Sequence, residues 1–221
     1  MTKQSVDIVL LPQKATGRDR PRVHLCPSGD LSQLPLHAAG IYDGSARERA
    51  CAADYIVSSY TPSLSILLKA REGFAPIPRR ELRAALYADS GGYGGHAVIH
   101  KVVEEVQIAA RILTSKEAIV NNDGDGRSTM ASILEGAEGA HILHLSCHGL
   151  QHKNPLDSHF ALKDRPLTIS DLMALDLKKA VFAYLSACYT ARGDAKQPDQ
   201  AVHLAASMLF CGFRSVVATM W

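Results

Sequence analysis

The sequence predicts an α/β fold, a mostly parallel sheet with helices on both faces, and three observations carry that prediction. Near-continuous apolar runs, "HILHLSC" (141–147), "AVFAYLSAC" (180–188) and "RSVVATMW" (214–221), alternate with the helix-like segments "ISDLMAL" and "QAVHLAASMLFC". Strands that are apolar on both faces belong in a parallel sheet buried between helices. Val102, Val103, Val106, Ala109, Ala110 and Leu113 recur at mixed three and four spacing, which predicts an amphipathic helix over 101–114. Finally, 221 residues with 47% hydrophobic content are enough to fill the core of one large domain.

The elements follow in chain order. Residues 1–21 combine "DIVLLP" with the polar "QKATGRDRPR" and read as an N-terminal extension, with order beginning near Arg22. "RVHLCPSGDL" and "QLPLHAAGIYDG" are short apolar segments stopped by Pro-Ser-Gly and Ala-Gly, as in strands or strand-to-helix turns. Tyr55 to Ser58 is strand-like, and a helix is expected over Ser63 to Ala70 behind Pro62. Leu82 to Ala88 is a further strand, followed by a loop holding Gly91, Gly92, Gly94 and Gly95. These glycines lack the G-x-G-x-x-G order of a phosphate cradle and read as a flexible connection. Glu104 and Glu105 are assigned to the solvated face of the 101–114 helix. "NNDGDGRS" resembles a calcium loop without its twelfth-position glutamate, and reads as a turn before the helix "TMASILEGA". Thr168 or Ser170 caps the next helix, and Gly212 ends the last one.

Composition excludes several function classes. Twenty-four basic and 22 acidic side chains leave a net charge of +2, too small to imply nucleic acid or an acidic membrane surface. No run approaches the roughly 18 apolar residues of a membrane span, so the expectation is a soluble, cytoplasmic protein without a membrane partner. Five cysteines without a C-x-x-C pair suggest neither a disulfide framework nor a zinc knuckle.

Chemistry gathers where parallel strands end at their carboxyl edge. One predicted strand ends in Cys147-His148-Gly149 and another in Ser186-Ala187-Cys188, both leading into polar loops. Adjacent residues on a strand point to opposite faces, so Cys147 is a poor partner for His148. A neighbouring strand about 4.8 Å away offers a better one. If the two strands are neighbours, His148 is placed to take the thiol proton and Cys188 to attack a carbonyl carbon. The amides of Gly149 and Cys188 are the candidate donors to the resulting oxyanion. Cys147 then reads as a buried neighbour.

These residues carry a family resemblance. "HILHLSCHG", "NPLDSHFAL", "LTISDLMAL", "AVFAYLSACYTARGD" and "QPDQAVHLAASMLFCGFRSVVATMW", with "GDLSQLPLHAAGIYDG" and "YIVSSYTPSL" upstream, resemble the CHAT-domain family in order from about Val23 to Trp221. These are caspase-related cysteine peptidase domains, commonly fused to tetratricopeptide repeats. The resemblance implies a caspase-like three-layer sandwich over 22–221 and a dyad of Cys188 and His148. It also implies endopeptidase activity through a thioester with no metal or organic cofactor, a protein or peptide substrate, and a tetratricopeptide-containing or sensor partner. Two departures stand out: Gln200 replaces an acidic residue usual in the family, and the family pattern continues past Trp221. The expectation is therefore a domain truncated at its C-terminus. The rival reading is an inactive binding or scaffolding module, or a degenerate fragment of a larger protein.

The remaining candidates are assigned bland roles. His144 is expected to be a hydrogen-bonded core histidine and His37 a structural one. His141, His152 and His159 are expected at the edge that holds His148, without a defined metal-ligand spacing. Asp157, Asp164, Asp194 and Asp199 read as loop carboxylates at the active edge, Arg192 as a neighbour that either lowers the Cys188 pKa or simply faces water, and Cys211 as packed.

Overall fold

The computed structural model describes residues 20–42, 50–73, 75–91, 94–123, 128–187 and 204–219. A five-stranded parallel sheet organises the chain. It is preceded by a small region of β1 (Arg22–Leu25), β2 (Gly40–Ile41), β3 (Ala50–Cys51), α1 (Ala52–Tyr55), β4 (Val57–Tyr60) and α2 (Leu64–Arg71). There β1 pairs in parallel with β4, and β2 in antiparallel with β3. Tyr55 ends α1, so the strand expected at Tyr55 to Ser58 starts two residues later, at Val57. Asp54 caps the head of α1 by accepting the Cys51 amide (2.9 Å). Pro62 precedes α2 and does not open it; the cap is Ser63, whose hydroxyl accepts the Ile66 amide at 3.3 Å.

The rest of the chain comprises β5 (Arg83–Ala88), α3 (Val102–Thr114), β6 (Ile119–Asp123), α4 (Met130–Glu138), β7 (Ile142–Ser146) and β8 (His148–Leu150). Then come β9 (His159–Ala161), β10 (Leu167–Thr168), α5 (Ile169–Met173), β11 (Phe182–Ser186), α6 (Leu204–Cys211) and β12 (Ser215–Ala218). The sheet order is β12-β11-β7-β5-β6, and β8, β9 and β10 form a separate antiparallel sheet beyond the carboxyl end of β7. Thus the apolar run 141–147 is not one strand through to the cysteine. The chain bends at Cys147 and leaves the main sheet as β8, pairing His148 with Ala161 and Gly149 with Phe160.

Strand alternation sorts the core into two layers. Ala85 and Tyr87 of β5, Leu143 and Leu145 of β7, and Ala183 and Leu185 of β11 lie on one face, under Met130 and Ile133 of α4 and Leu204 and Met208 of α6. Ala84, Leu86 and Ala88 face the other way and meet Val102 and Val106 of α3. The expected three-layer α/β sandwich is what these residues build. Gly136 lets α4 lie close on the sheet: a β-carbon there would sit 1.8 Å from the Tyr87 hydroxyl, which donates to the Ser132 carbonyl at 2.7 Å. Among the described residues no helix is long and apolar enough to cross a membrane.

Leu143 is fully buried at the centre of the larger layer. Leu143→Ala is expected to lower unfolding free energy by about 2–5 kcal/mol, whereas exposed Leu68→Ala stays within about 0.5 kcal/mol, both read by urea unfolding.

Candidate active site

The two strands that the dyad requires are neighbours. β7 and β11 run parallel, and their last register pair is Ser146 with Ser186. His148 follows Ser146 by two residues, and Cys188 follows Ser186 by two. Cys188 itself, with Arg192, Asp194, Asp199 and Gln200, lies outside the described residues.

His148 is half-buried and firmly oriented. Its Nε2 lies 2.7 Å from the Ala97 carbonyl oxygen. A carbonyl can only accept, so Nε2 carries the proton and the neutral ring keeps its lone pair on Nδ1. The His96 ring stacks on it, with centroids 5.0 Å apart and planes at 28°. The segment supplying both contacts is the glycine loop read as a flexible connection. Gly92 lies outside the described residues; among those described, Gly91 pairs with Val98, the Ile99 amide donates to the Ser90 carbonyl at 2.7 Å, and His96 and Ala97 lie against the histidine.

Asp89 explains how the loop is held. It is 1% exposed, and its carboxylate accepts the Gly91 amide at 2.9 Å and the Lys163 amide at 3.1 Å. Its own amide donates to the Ser146 carbonyl at 2.9 Å, tying the end of β5 to the end of β7. Gly91 has φ of +71°, and a β-carbon there would lie 2.8 Å from His148 Cδ2 and Nε2. Glycine is needed on both counts. Sequence reasoning missed Asp89 and Ala97; an aspartate one residue past an apolar strand end was the available signal for the first, and a backbone carbonyl leaves none.

Cys147 is buried (2% exposed) in the larger core layer. Burial and the nearby Asp89 charge push its thiol far above the usual range, so it is no nucleophile at neutral pH. Cys211 is packed as expected, and burial pushes its thiol up to about 12. Gly149 is buried on β8.

Glu105 does not lie on a solvated face. Only Glu104 does, paired with Lys101 at 2.5 Å. The Glu105 carboxylate turns toward the sheet and accepts from His144 Nε2 at 3.1 Å, Ser146 Oγ at 3.2 Å and Ser186 Oγ at 2.9 Å. Burial works to raise its pKa, but the hydrogen bonds from His144, Ser186 and Ser146, with the His144 charge, outweigh burial and hold it below 4.5. His144 is the hydrogen-bonded core histidine expected, 4% exposed and edge-on to Tyr184 at 4.7 Å.

The other candidates scatter. His141 is not at the His148 edge: it opens β7 at the opposite end, where Nδ1 accepts the Arg83 amide at 3.0 Å. His152 pairs with Asp157 at 3.5 Å, and His159 Nδ1 donates to the Asp157 carbonyl at 3.0 Å. Asp164 accepts the Met130 amide at 3.1 Å and so anchors the start of α4. His37 bonds the Tyr60 hydroxyl at 2.9 Å. Among the described residues no three His, Cys, Asp or Glu side chains converge as a metal site.

The CHAT domain family profile matches residues 4–221. The chain belongs to the CHAT domain family. No curated protein matches it. Among solved structures, this CHAT domain is similar to the crystal structure of the Arg-specific cysteine proteinase gingipain R, at 14% identity and a TM-score of 0.46. That likeness covers 70% of this chain and 35% of the proteinase, so the chain spans about a third of that protein's length.

Two outcomes test the geometry. Gly91→Ala is expected to displace the His148 ring, changing its Nε2 nitrogen shift, and to cost about 1–2 kcal/mol of stability from the left-handed backbone alone. For Glu105, a lowered folded-state pKa means a stabilising contribution that is present above pH 4.5 and lost as pH falls through the folded value. Urea unfolding between about pH 6 and pH 3 should therefore show a steeper acid loss for the wild type than for Glu105→Gln.

Proposed function

We propose that this CHAT domain is a cysteine endopeptidase with Cys188 as nucleophile and His148 as general base and acid. The observation that carries the proposal is the in-register pairing of β7 and β11, which brings two adjacent strands to a common end two residues before His148 and Cys188. The orientation of His148 supports it, because the proton on Nε2 is committed to Ala97 and the lone pair on Nδ1 is left to accept another.

In this scheme Nδ1 takes the Cys188 thiol proton as Sγ attacks the scissile carbonyl carbon. The carbonyl oxygen becomes an oxyanion, for which the amides of Gly149 and Cys188 are the proposed donors. Collapse breaks the C–N bond, and the leaving amine takes the proton from His148, leaving a thioester on Cys188. A water then attacks the thioester carbon, giving its proton to Nδ1. The acid product departs, and the proton returns to the Cys188 sulfur. The substrate is a protein or peptide, and no step in the scheme draws on a metal or organic cofactor. Regulation by a tetratricopeptide-containing or sensor partner belongs to the same proposal.

An electrophilic peptide probe, followed by peptide mass mapping, is expected to label Cys188 and spare Cys147. His148→Ala should slow that labelling by about 10²–10⁴-fold. Equal labelling of both cysteines, or a rate indifferent to His148→Ala, would sink the proposal and favour an inactive scaffold.

A further inference from the structure

The carboxylate of Glu105 has no part in that chemistry, yet it lies at the last paired rung of β7 and β11, two residues before His148 and Cys188 in the sequence. β7 and β11 stop pairing at Ser146 and Ser186. Beyond that rung β7 bends at Cys147 and departs into the β8–β9 ladder, so the backbone no longer sets the separation of the two chains. At this last rung one oxygen, Glu105 Oε2, accepts from both Ser146 Oγ (3.2 Å) and Ser186 Oγ (2.9 Å). The other oxygen is fixed by His144 at 3.1 Å, and α3 is fixed on the sheet by buried Val102 and Val106.

We infer that Glu105 is a positioning residue that clamps the ends of β7 and β11 together through Ser146 and Ser186, and so sets the separation of His148 from Cys188. The inference rests on the peptidase reading for its purpose. A partly buried carboxylate is a poor way to gain stability alone, because apolar packing at such a site does as well or better. What it supplies is geometry. Two hydroxyls on one oxygen must lie within a hydrogen bond of the same point, which restrains the strand ends both along and across the sheet. Gln at this position offers one acceptor oxygen where the cluster uses two.

The test uses the full chain and iodoacetamide, a thiol probe that needs no peptide recognition, with the Cys188 alkylation rate followed across pH. If the clamp acts as inferred, Glu105→Gln and Ser186→Ala each slow Cys188 alkylation at neutral pH by about 10- to 100-fold and shift its pH profile toward that of His148→Ala. Ser186→Thr, which keeps the hydroxyl, recovers most of the rate lost in Ser186→Ala. If His148→Ala slows alkylation but Glu105→Gln and Ser186→Ala leave rate and pH profile unchanged, the clamp is overturned and the dyad stands. If His148→Ala itself has no effect, the peptidase reading fails and the clamp loses its purpose with it. Ser186→Ala keeps the test intact should Glu105→Gln not fold, and a rate loss in it that Ser186→Thr fails to recover also overturns the clamp.

Discussion

The parallel pairing of β7 with β11, in register from Phe182 with Ile142 to Ser186 with Ser146, is the constraint on which the rest of the site depends. Parallel strands can be neighbours only when the connection between them crosses over the sheet, and here it includes the β8–β10 sheet and α5. The pairing is held by Leu143, Leu145, Ala183 and Leu185, all buried beneath α4 and α6. Shifting it by one residue would turn these side chains to the opposite face and would also separate the serines that share Glu105. Core packing and site geometry are thus fixed by the same register.

Around that pair, charge and backbone polarity are used in two ways. Asp89 collects backbone amides from the glycine loop and from Lys163, so a buried carboxylate shapes the chain that orients His148. Glu105 collects side-chain donors from two strands and a histidine, so a half-buried carboxylate ties elements together. Both are partnered, as buried ionised groups must be. Each acts through a neighbour, Asp89 through Gly91 and the loop, Glu105 through the serines.

The α/β class, the 101–114 helix and the strand over Leu82 to Ala88 were legible because burial imposes periodicity on sequence. The strand Ile119–Asp123 was not, since an edge strand reading "IVNND" is half polar and runs into a turn-like sequence. That the chain resumes as β8 just past Cys147 was also not legible, because only tertiary pairing with β9 makes His148–Leu150 a strand. At the site, His148 was legible from its place at a strand end followed by glycine. Glu105 was misjudged because a charged residue beside a second glutamate looks like a wet helix face, and its partners lie 39 to 81 positions away. His141 was misplaced by its closeness in sequence to His148, although five residues of extended chain put it at the other end of β7.

The central claim is that His148 is held with its proton on Nε2 and its lone pair directed to a thiol at Cys188. Nitrogen-15 NMR of the histidine rings tests this directly, before and after alkylation of Cys188. The account predicts a pyrrole-like Nε2 shift and a pyridine-like Nδ1 shift for His148 in the neutral ring, with Nδ1 alone moving strongly on alkylation. A neutral ring protonated on Nδ1, or an Nδ1 signal unchanged when Cys188 is alkylated, would contradict it.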